Sequence, residues 1–240
     1  MTAGDRVAGP STGVVVLLVV AKAPVPGLVK TRLCPPATHE QAARLAAASL
    51  LDTVDTVLSL PWAVPVIAVT GDLDACVDAE EISARFAHTT VLRQRGADFA
   101  ERLANAHQDA RDVHPGVPVL QIGMDTPQVD AELLTAGARL LTARGGPRAV
   151  LAPATDGGWW ALGLRDPGMA DSLSSVPMSQ VDTCQRTREA LDQAGVPPAP
   201  LADLSDVDFM SDAGEVAASI PGSRFARALA EMTLHADIGR

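Results

Sequence analysis

Residues 13–21 form an unbroken apolar run, Gly-Val-Val-Val-Leu-Leu-Val-Val-Ala. Such a run, short and rich in β-branched residues, predicts a strand buried on both faces. Thr38-His39-Glu40-Gln41 has the pattern of a capping box, so a helix starts there. Leu45, Ala48, Leu51, Val54 and Leu58 then recur with helical spacing. The alternation continues with a strand at Val64–Thr70, a helix at Leu73–Phe86, a strand at Thr89–Leu92 and a helix at Phe99–Arg111. A third strong strand is expected at Val117–Ile122, and Asp130 caps a helix running to about Ala143, where Gly145-Gly146-Pro147 breaks it. Ala149–Ala152 and Trp159–Leu164 flank the turn Asp156-Gly157-Gly158 and suggest a hairpin or an excursion at the sheet edge. Helices follow near Gln180–Ala194, Asp212–Ile220 and Ser223–Ala236, with a proline-rich loop after the first of them. The last helix carries Phe225, Ala226, Leu229, Ala230 and Leu234 on one face and is expected to pack on its own domain rather than on a second subunit.

Strands alternating with helices imply a three-layer α/β/α sandwich around a mostly parallel sheet. No linker divides the chain, so residues 1–240 are expected to form one domain, with 1–12 as a flexible start and 223–236 as a C-terminal helix. In such sheets ligands bind beyond the carboxyl ends of the strands, so polar residues just after strands count and those just before do not. Aromatic residues make up only 3% of the chain and tyrosine is absent, so small side chains must bring helices close to the sheet.

The net charge of −10 argues against nucleic-acid binding, which needs a basic surface. Three scattered cysteines, Cys34, Cys76 and Cys184, fit reduced thiols in a cytoplasm better than disulfides or zinc. No apolar run reaches the length of a membrane span, and Asp5 with a single Arg6 makes a poor signal-peptide start. A cytoplasmic monomer or homodimer with no membrane insertion is the expectation. The five histidines lack ligand spacing and no serine elbow is present, which removes zinc and triad hydrolase chemistry.

Four segments could carry chemistry. The loop after the first strand holds three cations, Lys22, Lys30 and Arg32, with Gly27 and four prolines. Stiffened backbone and local cations are what phosphate recognition needs, although neither a P-loop nor a dinucleotide fingerprint is present. Asp125, in Gly123-Met124-Asp125-Thr126-Pro127, directly follows a strand and suits Mg²⁺ or Mn²⁺, which take one or two carboxylates plus substrate phosphates. Asp206-Val207-Asp208, if extended, places two carboxylates on one side, either of which could complete a metal site with Asp125. Asp156-Gly157-Gly158-Trp159-Trp160 offers a tight turn and adjacent tryptophans on opposite faces, one for the core and one for a pocket.

These segments in this order resemble a bacterial family of radical-SAM/selenodomain-associated, or arsenosugar-type, glycosyltransferases. Ala21–Leu33 resembles its opening signature, Gly123–Pro127 its Gly-Ser-Asp-x-Pro segment, Ala154–Trp160 its Asp-Gly-Gly-Tyr-Trp segment and Asp206–Asp208 its late Asp-x-Asp. Lys30-Thr31-Arg32-Leu33 is also similar to the phospholactate guanylyltransferases. The resemblance implies the GT-A nucleotide-diphospho-sugar transferase fold. It places Lys22, Ala23, Pro24, Gly27, Lys30 and Arg32 on phosphates and Asp125 on the metal, with Asp208 or Asp206 as second ligand. It also places Gly96 and Asp98, within Gln94–Arg102, near the nucleotide, and Thr126, Asp156, Gly157, Gly158 and Trp159 near the substrate. Phe209-Met210 replaces the Thr-Pro that follows the family's Asp-x-Asp, and the Gly96 stretch is poorer in glycine.

Two transferase chemistries share this constellation. In nucleotidyl transfer a small phosphorylated or phosphonate acceptor attacks the α-phosphorus of a nucleoside triphosphate and pyrophosphate leaves; in glycosyl transfer an acceptor attacks the sugar carbon of a nucleotide-sugar. Three cations near a triphosphate tail favour the first, with Lys30, Arg32 and Asp125 as its catalytic groups. A catalytically degenerate nucleotide-binding protein is the non-enzymatic alternative.

Overall fold

A computed structural model describes residues 12–238, and side chains through residue 233. Residues 1–11, expected above as a loose start, and the Leu234 side chain lie outside that description. Among the described residues there are seven strands: β1 (Val15–Lys22), β2 (Ala63–Thr70), β3 (Thr90–Arg93), β4 (Val119–Gly123), β5 (Ala149–Pro153), β6 (Trp159–Leu164) and β7 (Pro198–Pro200). Seven α-helices interleave with them: α1 (His39–Leu58), α2 (Ala79–Phe86), α3 (Phe99–Val113), α4 (Ala131–Thr142), α5 (Thr183–Gln193), α6 (Met210–Ser219) and α7 (Arg224–Ile238).

The strands form one sheet in the order β3-β2-β1-β4-β6-β5-β7. Every pairing is parallel except those made by β6, which runs against both β4 and β5. β5 and β6 are thus a hairpin, as their turn residues suggested. They lie inside the sheet rather than at its edge, because Pro198–Pro200 adds β7 beyond β5. A proline-rich run can do this only as an edge strand, where missing N–H groups cost little.

β1 is buried along seven of its eight residues, as a strand covered on both faces must be. Leu17, Val19, Ile67 and Leu120 pack with Leu50, Val54 and Leu134 of α1 and α4 on one face, together with Ile82 and Phe86 of α2. Val16, Leu18, Val66 and Val119 pack on the other with Leu103 and Ala106 of α3 and with Leu173 and Leu191. Leu173 belongs to a 3-10 run at Pro167–Ser175 that periodicity did not reveal. α2 begins at Ala79 rather than Leu73, because residues 73–78 turn and Asp78 takes a left-handed backbone, φ 53°.

The capping box at Thr38 and Gln41 is formed, and α1 buries residues on two sides. Its outer side, Ala42, Leu45 and Ala48, contacts Phe225 and Leu229 of α7 and Val216 of α6. The first turn of α7 is anchored by Asp52, whose carboxylate accepts from the N–H groups of Arg224 (3.1 Å) and Phe225 (2.9 Å). The C-terminal helix therefore covers its own chain. No helix among the described residues is long and apolar enough to cross a membrane.

Candidate functional site

Beyond the carboxyl ends of β1, β4 and β5 lie the loop after β1, the bend after β4, the β5–β6 turn and the segment 205–209. Two buried side chains set the first and last of these side by side. Leu33 and Val207 both enter the small cluster on the outer side of α1. The first loop thereby carries Lys30 and Arg32 up to the stretch that holds Asp206 and Asp208. The last segment is also stitched to the bend after β4: Val207 N–H donates to the Asp125 carbonyl (3.3 Å) and Gln128 Nε2 to that of Ser205 (2.5 Å). The buried Ser49 hydroxyl of α1 donates to the Met124 carbonyl (2.5 Å) and fixes the bend from below.

Lys30 is the hub. Its Nζ lies 2.7 Å from Asp125 Oδ1 and 3.9 Å from Asp208 Oδ1, and donates to the Val207 carbonyl at 2.5 Å. Its side chain is only 11% exposed, against 46% for Asp125. Arg32 Nη1 donates to Asp208 Oδ2 at 2.5 Å. Lys30 also has a left-handed backbone, φ 47°, an unfavourable state of the kind that clusters at functional sites. The N–H groups of Gly27, Val29, Lys30, Thr31 and Arg32 take no hydrogen-bond partner among the described residues. Lys22, Lys30, Thr31, Arg32, Asp125 and Asp208 line a cleft of about 260 Å³.

A second cavity of about 170 Å³ adjoins it, and Asp125 lines both. Its polar wall includes Gln121, Thr126, Asp156 and Asp206, and its apolar wall includes Phe99, Leu103, Trp159 and Met178. The tryptophans lie on opposite faces of β6, as alternation requires. Trp160 is buried, its Nε1 donating to the Ala202 carbonyl (2.9 Å), whereas Trp159 is half-buried and donates to Thr187 Oγ1 (3.1 Å). Asp156 accepts from Gly158 N–H (2.7 Å) and thereby closes the hairpin turn.

Asp206 and Asp208 serve different cavities, Asp206 the acidic one and Asp208 the cationic cleft. Burial, with the neighbouring carboxylates of Asp125, Asp156 and Asp208, pushes the Asp206 carboxyl up to about 7 against the opposing pull of Lys30. Behind the cavity, fully buried His107 faces Gln121, and burial drives its imidazole down to about 3.

Ala23, Pro24, Gly27, Gly96, Asp98 and Gly157, expected to contact ligand, line neither cavity. Ala23 spends its N–H on the Thr70 carbonyl (2.8 Å), and Pro24 has none to give. Asp98 caps α3, accepting from Glu101 N–H (2.9 Å), and Gly96 precedes it with φ 141° packed against Glu101 and Arg102. Gly157 makes the hairpin turn and presents its carbonyl to Cys184 N–H (2.9 Å). Phe99, within the Gln94–Arg102 segment, does reach the second cavity, and Gln121, Leu103, Met178, Ser179 and Thr183 reach it unanticipated. Gln121 alone had a local signal, as a polar residue inside an apolar strand.

Among the described residues no three Asp, Glu, His or Cys side chains gather into a ready-made ion site. Asp125 and Asp208, both within 4 Å of one ammonium, instead form a two-carboxylate edge. That donor set suits a hard cation that keeps water and takes its remaining ligands from substrate phosphates. The carboxylates of Asp125, Asp156 and Asp208, which add to burial in raising Asp206, are a charge excess that such a cation would offset.

Residues 53–180, just over half of the chain, match a family described as "uncharacterized protein conserved in bacteria (DUF2064)". The chain belongs to this family. The matched stretch holds Asp125 and the Asp156 turn but neither the first loop nor Asp206–Asp208. Among solved structures, a protein of Desulfovibrio desulfuricans G20, put forward as a nucleotide-diphospho-sugar transferase, is 28% identical with a TM-score of 0.78, over 90% of this chain and 94% of that one. A cytidylyltransferase of Leptospira borgpetersenii is 11% identical (TM-score 0.53; 95% and 97% covered). The 4-diphosphocytidyl-2C-methyl-D-erythritol synthase of Anaerococcus prevotii is 11% identical (TM-score 0.51; 87% and 99% covered). These last two share the fold. No curated protein matches the sequence. The α/β fold is thus that of nucleotide-diphospho-sugar transferases and nucleotidyltransferases, and the neighbours are transferases.

Proposed function

We propose that the protein is a metal-dependent nucleotidyltransferase that moves a nucleoside monophosphate from a triphosphate onto a small phosphorylated or phosphonate acceptor. The observation that carries this reading is the convergence of Lys30 and Arg32 with Asp125 and Asp208 in one cleft beyond the strand ends, with Lys30 Nζ 2.7 Å from Asp125 Oδ1. Lys22, Lys30 and Arg32 would hold the β- and γ-phosphates, helped by the unpartnered N–H groups of Val29 to Arg32. Asp125 and Asp208 would hold Mg²⁺ or Mn²⁺, with Asp206 as the alternative second ligand. Bound there, the ion would supply charge neutralisation at the phosphates. The acceptor's anionic oxygen forms a bond to the α-phosphorus while the bond from that phosphorus to the β-phosphate oxygen breaks. Pyrophosphate leaves with the electron pair, and no proton need move. Lys30 and Arg32 stabilise that departing charge and orient it in line with the acceptor.

Lys30 and Arg32 pair with the very carboxylates that would hold the ion. Binding of nucleotide and metal would therefore be coupled: Lys30 and Arg32 would be freed for phosphates when Asp125 and Asp208 hold the ion.

The second reading is glycosyl transfer from a nucleotide-sugar, favoured by the Desulfovibrio neighbour and by the resemblance to arsenosugar-type glycosyltransferases. A thermal-shift panel of nucleoside triphosphates and nucleotide-sugars, each with and without Mg²⁺ or Mn²⁺, separates the two, since a ligand that binds the native state raises its melting temperature by mass action. A metal-dependent rise with one triphosphate is expected. A rise with a nucleotide-sugar alone would transfer the assignment to glycosyl transfer, and no rise at all would favour a degenerate relative.

A further inference from the structure

α1 buries two hydroxyl side chains, Ser49 and Thr53. Thr53 Oγ1 donates within the helix, to the Ser49 carbonyl (2.9 Å), as a hydroxyl in a helix often does. Ser49 Oγ instead leaves the helix and donates to the Met124 carbonyl (2.5 Å). β4 ends at Gly123, so Met124 lies past the strand, and no other group among the described residues donates to its carbonyl. Met124 also accepts the Lys22 N–H on its Sδ (3.2 Å), which ties the end of β1 to the bend that carries Asp125. The next carbonyl, that of Asp125, accepts the Val207 N–H (3.3 Å). The peptide units on both sides of the Asp125 Cα are therefore pinned, one to α1 and one to the late acidic segment.

Resting on the reading that Asp125 holds a divalent cation, we propose that Ser49 is a positioning residue for that ion, acting through the Met124 carbonyl. The Asp125 side chain is 46% exposed, and it pairs with Lys30, a cation that phosphates would claim. Its backbone is then what keeps the carboxylate aimed. Turning either flanking peptide unit swings the Cα–Cβ bond, and with it the distance from Asp125 to Asp208. A small hard cation demands near-ideal ligand geometry and tolerates little of that movement. Without the Ser49 hydroxyl the Met124 carbonyl is left buried and unpaired, and the bend turns to relieve it. Lys22, joined to the same residue, moves with it.

Mn²⁺ binding to the full chain, followed by electron paramagnetic resonance of the free ion, tests this in the wild type, Ser49→Ala, Thr53→Val and Asp125→Asn. Alanine keeps the helix, so Ser49→Ala should fold and yet bind Mn²⁺ about tenfold more weakly. Thr53→Val removes a buried hydroxyl one turn further along that does not reach the bend, and should stay within about twofold of the wild type. Wild-type affinity in Ser49→Ala, or an equal loss in Thr53→Val, would overturn the proposal. A wild type that ignores Mn²⁺, or binding that survives Asp125→Asn, would instead sink the metal reading. Amide exchange in the metal-free protein then decides the positioning. The Lys22 and Val207 N–H groups bond to Met124 and Asp125, so Ser49→Ala should speed their exchange about fivefold or more and Thr53→Val should not. Unchanged exchange at both amides would overturn the proposal by that route as well.

Discussion

His107 and Asp206 lie on either side of the second cavity's wall, and their titrations pull stability in opposite directions. The imidazole falls from an ordinary 6.5 to about 3 because it is buried, so between those values the unfolded chain binds the extra proton. Its contribution is present above pH 6.5 and is lost as pH falls, by about 2 kcal/mol at pH 5 relative to pH 8. Asp206 rises from 3.8 to about 7, so there the folded chain binds the extra proton and stability falls as pH climbs through that window. The two windows overlap, and the wild type should show a muted profile. His107→Leu should unmask a fall in stability from about pH 4 to pH 7, and Asp206→Asn should unmask a rise over the His107 window with a higher melting temperature at pH 8. Denaturant titrations across pH check both; parallel profiles for all three proteins would refute the assignment. At this scale the sequence is legible where charge stands out against an apolar frame. Lys30, Arg32, Asp125 and Asp208 follow strands in a chain with few loop cations, and they meet in one cleft. Gly96 and Asp98 line neither cavity; Asp98 caps α3 and Gly96 makes a close-packed turn, roles filled by the same residue types as a ligand loop.

Elements are legible for a different reason. Strands buried on both faces leave a run that nothing else explains, and the Thr38 capping box announces α1 by its own chemistry. Where the deciding force is tertiary, local pattern is silent. β7 consists of Pro-Ala-Pro and exists only because β5 offers an edge, and the 3-10 run at Pro167–Ser175 is held by its packing on α3. The β5–β6 hairpin depends on one residue. Gly157 has φ +91°, and a Cβ there would come within 2.0 Å of the Val181 carbonyl. Gly157→Ala therefore requires the start of α5 to shift. It should cost at least about 2 kcal/mol in chemical denaturation and loosen the wall that carries Asp156 and Trp159. A loss below about 0.5 kcal/mol would mean that the turn and α5 are not coupled as described.

For the whole molecule, topology gathers what the sequence scatters. Residues 22–32, 121–126, 156–160 and 205–208 span most of the chain, and they converge because parallel strands put their following loops on one side of the sheet. The reversed β6 brings the start of a strand, with its two tryptophans, to that same side. Sequence order alone could suggest this meeting. It could not show that the acids divide between two adjoining cavities, because that division rests on Leu33 and Val207 sharing one cluster beside α1. On the proposed reading, the cationic cleft holds a triphosphate tail whose pyrophosphate departs. Phosphorus NMR of the protein with Mg²⁺, a set of small phosphorylated and phosphonate acceptors and each nucleoside triphosphate in turn observes that event directly. Pyrophosphate together with a new phosphodiester–anhydride signal from one triphosphate, both abolished in Asp125→Ala, is the predicted result. Intact triphosphates throughout, with nucleoside diphosphate released from a nucleotide-sugar instead, would contradict it.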